Sequence, residues 1–248
     1  NKENNMKIAL VLSGYMDSLK DLSSHGEDAF PYIKKKILDK YDVDIYIHSW
    51  DIGKTELINK LYGKWIVKQK IEPQIDFQPI VIKNNMHNLP INPGSATCKN
   101  LFSQFYSFQE SIKLIDTKIN YDAVIKIRFD ISRINLSTIN NQPHRVQLIN
   151  FIEDYNRNSL HMAKWAQSTL DLEGPADVWF YSSIKIMRKL AYIYDILVKD
   201  VKPKSLYGLW ANNNYGSIVN GAKFYKWAFM RLNLWDSKTL VSCENEHL

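Results

Sequence analysis

Lys7-Ile-Ala-Leu-Val-Leu-Ser13, closed by Gly14, is a nearly unbroken apolar run of strand length. A strand with one wet face alternates apolar and polar side chains, so this run predicts a strand buried on both faces, as in the middle of a parallel sheet. Downstream, Pro31 to Lys40 places Tyr32, Ile33, Ile37 and Leu38 on one side of a helix with proline at its opening. Val43-Asp-Ile-Tyr-Ile-His48 then alternates, is rich in β-branched residues and runs into Ser49-Trp50-Asp51. The three pieces predict a strand, helix, strand unit with a right-handed crossover.

The same reading extends along the chain. Thr55 to Tyr62 predicts a short helix and Trp65 to Glu72 a strand. Pro73 to Ala96, punctuated by Pro73, Pro79, Pro90, Pro93 and Gly94, reads as loop with one edge strand at Ile80-Val-Ile82. Lys99 to Ile115 has the clearest helical period, with Leu101, Phe102, Phe105, Phe108, Ile112 and Ile115 on one face. Tyr121 to Asp130 is a further buried strand with a charged end. Val146 to Phe151, Asp177 to Tyr181 and Lys238 to Val241 predict strands, and Ile184 to Val198, Leu206 to Asn214 and Ala222 to Leu232 predict helices. No repeat, low-complexity tract or linker divides the chain. The expectation is an α/β fold, a mostly parallel sheet flanked by helices, in a single domain over residues 1–248.

Composition narrows the function classes. A chain of 248 residues removes roughly 70–75% of its unfolded surface from water on folding, so a metal would serve chemistry rather than hold the fold together. The two cysteines, Cys98 and Cys243, are far apart and have no ligand spacing, so reduced thiols are expected. Asn1 to Lys7 has no signal-peptide pattern and no run of 18 apolar residues occurs, which sets the expectation of a cytoplasmic protein without a membrane span, or of the host cytoplasm if the chain is viral. The net charge of +6 is dispersed, and the densest run, Lys34-Lys35-Lys36, belongs to a solvated helix face. That disfavours a nucleic-acid groove and suits an anionic small ligand such as a nucleotide diphosphate.

Four apolar strands end in polar residues: Ser13-Gly14, His48 to Asp51, Arg128 to Asp130, and the turn near Tyr181 to Ser183. In open α/β sheets, ligands bind beyond such carboxyl ends. The chain contains no dinucleotide or P-loop glycine pattern, no nucleophile elbow and no zinc-protease helix motif. The sharpest local signal is Val124-Ile-Lys-Ile-Arg128-Phe-Asp130-Ile-Ser132. Asp130 just past a buried strand can ligate Mg²⁺ or Mn²⁺ beside phosphate, with Arg128 as a second cation, or the two can simply pair.

These segments resemble small glycosyltransferases of the GT-A type, with a Rossmann-like sheet, from bacterial surface-polysaccharide clusters and from large DNA viruses that glycosylate their own capsids. Ile8 to Gly14 with Tyr41 to Trp50, then Tyr121 to Ser132, then Ala176 to Ser183 carry the likeness. The resemblance implies transfer of a sugar from a nucleotide-sugar donor, of the UDP type, to a carbohydrate acceptor hydroxyl. It implies a nucleotide-binding half over about 7–132 and an acceptor-side half over about 133–248. Asp130 matches the first carboxylate of the family's Asp-x-Asp metal motif, and Ser132 stands where the second would be. His247 then becomes the candidate distant metal ligand, or a solvated terminal side chain.

Asp177 aligns with an acidic residue facing the acceptor, which makes it the candidate base, or else it caps its turn after Gly174-Pro175. By the same resemblance Ser13 and Gly14 approach the nucleotide, Asp51 the ribose and Gln104 the donor. Trp50 either stacks on uracil or belongs to the core. Asp17 stands where relatives carry an arginine for phosphate, a contact left to Lys20 or Arg128. A non-catalytic nucleotide- or carbohydrate-binding protein with a degenerate site is the alternative that Ser132 and Asp17 keep open.

Overall fold

The computed structural model describes residues 6–16, 25–87, 97–129, 134–139, 142–164, 179–215, 218–242 and 244–247. In chain order the elements are β1 (Lys7–Gly14), α1 (His25–Ile33, prolonged by a π-helical turn, Lys34–Leu38), β2 (Asp42–Ser49), α2 (Thr55–Tyr62), β3 (Ile66–Ile71), α3 (Gln78–Lys83), α4 (Cys98–Lys113) and β4 (Ala123–Arg128). They continue with β5 (Ile134–Ile139), β6 (Gln142–Leu148), β7 (His161–Lys164), β8 (Trp179–Ser182) and α5 (Ile184–Met187), which leads through a 3-10 turn (Arg188–Tyr192) into α6 (Ile193–Asp200). The last are α7 (Leu206–Tyr215), α8 (Gly221–Arg231), β9 (Thr239–Ser242) and β10 (Glu244–His247).

Among the described residues seven strands form one sheet in the order β3-β2-β1-β4-β8-β7-β9, and β10-β6-β5 form a second, antiparallel one. Within the large sheet β1 pairs in parallel with both β2 and β4, β2 with β3, and β7 with β9, whereas β8 runs antiparallel to its neighbours β4 and β7. The fold is therefore the α/β class expected from the sequence, a mostly parallel sheet flanked by helices.

β1 is buried on both faces, as its unbroken apolar run requires. Ala9 and Val11 enter one core with the α4 residues Leu101, Phe102, Phe105 and Phe108. Ile8, Leu10 and Leu12 enter the other, with Tyr32 and Ile33 of α1 and Ile58 and Tyr62 of α2. α4 begins at Thr97, whose side chain accepts the Asn100 N–H at 3.2 Å and satisfies one of the helix's free donors.

Four expectations are corrected. Pro31 does not open its helix: α1 starts at His25, so the proline sits in its interior, where it deletes one backbone donor, and the chain passes into the π-helical turn. Ile80 to Ile82 are helical, not an edge strand; Pro79 lies in the first turn of α3, where a missing N–H costs nothing, and the Gln78 N–H is accepted by Asp76 Oδ1 at 2.9 Å. The helix over 184–198 is interrupted by its 3-10 turn. The expected Val146–Phe151 strand ends at Leu148, and β5, β7 and β10 were not anticipated. Among the described residues no helix is long and apolar enough to cross a membrane.

Candidate functional site

Strand order reverses beside β1. The chain lays down β1, β2 and β3 in one direction with α1 and α2 packed on one face, then crosses the other face through α4 and sets β4 against the free side of β1. A crevice beyond the carboxyl ends at such a reversal is the ligand position of open parallel sheets. At this one Ser13 stands opposite Arg128 in the β1–β4 register. Gly14 follows with φ +98°, in the region that favours glycine, and among the described residues a Cβ built on it would have no heavy atom within 4 Å. Among those residues the turn presents bare backbone with open space above it.

Ser107 of α4 fixes that turn. Its Oγ accepts the Gly14 N–H at 2.9 Å and lies 2.8 Å from His48 Nδ1, and both Ser107 and His48 are fully buried. His48 Nε2 lies 3.0 Å from Glu72 Oε1. A carboxylate only accepts, so Nε2 carries a proton; in the neutral ring Nδ1 is then the acceptor and Ser107 donates to it, with the His48 carbonyl 3.3 Å from the same hydroxyl. Burial pushes His48 below the ordinary histidine value, against the opposing pull of Glu72, which keeps the ring in this neutral form. Burial would raise the Glu72 carboxyl, but hydrogen bonds from His48 and Lys70 outweigh it and hold it low. Lys70 bridges Glu72 and Glu110, each at 3.0 Å. Burial alone would lower the Lys70 ammonium, and the two carboxylates raise it instead.

A second latch lies one turn earlier on α4. Tyr15 OH donates to Gln74 Oε1 at 2.6 Å, and Gln74 Nε2 donates to Ser103 Oγ at 2.9 Å. Burial raises the Tyr15 hydroxyl, helped by the Asp51 carboxylate nearby. Two residues of the first strand's exit are therefore tied to two serines spaced i, i+4 on one helix.

The sequence-predicted residues divide in three. Ser13, Gly14, Asp51 and Arg128 stand at the carboxyl edge. Trp50 and Gln104 do not face it freely. Trp50 is 4% exposed, its ring stacked on Tyr106 at 5.4 Å and flanked edge-on by His48 and Phe77, so it is packed as core. Gln104 turns its Oε1 towards Gly221 at the start of α8, 3.7 Å from where a Cβ would stand.

Asp130 and Asp177 lie outside the described residues, as do Asp17, Lys20 and Ser132. In sequence Asp130 follows Phe129, and Asp177 precedes by two residues Trp179, the register partner of Ile127 near the end of β4. The backbone of His247 pairs with His144, which in turn pairs with Asn135 of β5, but its side chain is outside the described set. Among the described residues no three His, Cys, Asp or Glu side chains come together as a metal-ligand group. Cys98 is a buried free thiol, and Cys243 is outside the described residues.

Sequence reading missed Ser103, Ser107, Gln74 and Glu72, and took His48 only as a strand end. One signal was present: serines at 103 and 107 interrupt the aromatic face of α4 at helical spacing.

No protein-family model and no curated protein sequence matches the chain. Among solved structures, the chain is similar to the apo form of mouse xyloside xylosyltransferase 1, at 10% identity over 96% of this chain and 84% of that one, with a TM-score of 0.43. A superposition that loose leaves any functional reading to rest on this chain's own residues.

Proposed function

We propose that the chain is a glycosyltransferase of the GT-A type that moves a sugar from a UDP-linked donor to a carbohydrate hydroxyl. The observation that carries this reading is the Gly14 turn: open backbone with positive φ at the sheet's reversal, held by Ser107, is a surface on which a nucleoside can lie. Its support in sequence is the three segments in family order, and the proposal takes the whole chain as one unit with its donor half over about 7–132.

In the reaction, the Asp177 carboxylate takes the acceptor's hydroxyl proton as that oxygen attacks C1 of the sugar. The bond from C1 to the diphosphate oxygen breaks on the opposite side, so the anomeric centre inverts and the nucleoside diphosphate leaves with the electron pair. Arg128, the last residue of β4, is the cation this reading assigns to the charge growing on that leaving group. A divalent cation would supply further neutralisation of the diphosphate. The carboxylate and imidazole of Asp130 and His247 are donors that suit Mn²⁺, and suit Mg²⁺ less well.

The test is a panel of nucleotide sugars read by nucleoside diphosphate release, with and without EDTA. Turnover of a UDP-sugar is expected, and it falls on chelation if the cation is required. Asp177→Asn is expected to lower transfer by roughly 10²–10⁴-fold while UDP still raises the melting temperature. Donor binding without turnover would select the non-catalytic binding reading, which Ser132 favours. Neither turnover nor stabilisation by any nucleotide would overturn both.

A further inference from the structure

Leu206 and Leu209, one turn apart at the start of α7, are 76% and 52% exposed. The opposite side of that helix is committed to the core through Tyr207 and Ala211. Beside the two leucines the half-buried Trp210 has its ring 5.6 Å from Trp227 and 6.0 Å from Tyr207. Lys199, Lys202 and Lys204, all exposed, lie within seven residues of Leu206 in sequence. The acid among them, Asp200, is engaged at 2.8 Å by Trp227 Nε1 and at 3.3 Å by Arg231 Nε.

This edge is held together. Ser205 Oγ donates to the Lys202 carbonyl at 2.7 Å and accepts the Gly208 N–H at 3.0 Å, and its own carbonyl accepts the Leu209 N–H at 2.9 Å. Gly208 approaches the Lys202 and Pro203 carbonyls so closely that a Cβ would collide with both. The 202–204 segment is thus clamped on the first turn of α7, which holds exposed Lys202 and Lys204 beside the turn that carries the leucines.

The occupant follows from two demands made together: an apolar medium for two leucines and negative charge for three ammonium groups. The headgroup layer of an anionic bilayer meets both. A second copy of this chain meets them poorly, because it would bring the same lysines face to face on a molecule of net charge +6. We propose that the first turn of α7 docks on anionic membrane surfaces, with Leu206 and Leu209 entering the acyl boundary and Lys199, Lys202 and Lys204 meeting lipid phosphates or carboxylates. This holds whichever activity the carboxyl edge performs.

The test is co-sedimentation of the full chain with vesicles of phosphatidylcholine alone and with about one third phosphatidylserine. Binding to the anionic vesicles is expected to exceed that to the neutral ones by about tenfold or more, and to weaken as salt shortens the screening length. The pair Leu206→Glu with Leu209→Glu, and separately Lys202→Glu with Lys204→Glu, should each reduce it by about tenfold at an unchanged melting temperature, since all four side chains are exposed. Equal binding to both vesicles, no binding to either, or undiminished binding by both variants would overturn the proposal. So would a lipid-free oligomer that the leucine variant dissolves, which would assign this turn to self-association.

Discussion

Ser107 joins two groups that would otherwise be stranded. It is buried, it accepts the Gly14 N–H, and it donates to His48, whose other nitrogen is spent on Glu72. Ser107→Ala removes the atom that, among the described residues, reaches both, so it is expected to lower stability by about 1–3 kcal/mol, the usual cost of unsatisfied buried partners. Urea unfolding measures this, and an unchanged midpoint would mean that the Gly14 turn does not need the hydroxyl. Nothing local in the sequence signals the contact, because Gly14 and Ser107 are 93 residues apart. Ser13 and Gly14 were legible, by contrast, because a polar pair closing an apolar strand is a local pattern. Lys126 was not legible as a core residue either: it is 1% exposed, with its ammonium 4.7 Å from the Phe108 ring of α4 and 5.8 Å from the Phe180 ring of β8, neighbours far from it in sequence.

At the scale of elements, the strands differ in how much they bury, and substitutions should report it. Leu10 in β1 is fully buried, so Leu10→Ala is expected to cost about 2–5 kcal/mol. Val67 in the edge strand β3 is 44% exposed, and Val67→Ala should stay within about 1 kcal/mol. Denaturant midpoints of the two variants check the contrast; equal losses would contradict the burial assigned to β3. Elements with a strong local period were readable almost to the residue, as β1, β2, α2 and α4 show. α1 and α3 were misread for one shared reason, since proline was taken as a boundary while one helix carries it inside and the other in its first turn. β7, His161-Met-Ala-Lys164, and β10, Glu244-Asn-Glu-His247, carry neither an apolar run of strand length nor an alternation to read.

For the whole molecule, stability should depend on pH through its buried histidines. Burial lowers both His48 and His161, each only partly opposed by its hydrogen-bond partner. The unfolded chain therefore binds more protons than the folded one just below the ordinary histidine value, near 6.5. The stability present in full above that value is lost as pH falls towards the folded-state values, so the urea midpoint at pH 5.5 should lie below that at pH 7.5. A midpoint that rises on acidification would show these rings to be charged in the fold. The alternation of strands and helices gave away the α/β class, but not that β8 inserts antiparallel between β4 and β7, because partner choice is settled by packing across the sheet and leaves no mark in either segment.

The pairing of β7 with β9 sets the tempo of assembly. His161 to Lys164 wait for Thr239 to Ser242, so that border of the sheet keeps its amide and carbonyl groups unmatched until a segment far downstream has been made. During that interval a nascent chain carries an adhesive seam, open to pairing with its neighbours on the same messenger, and β9 doubles as the device that seals it.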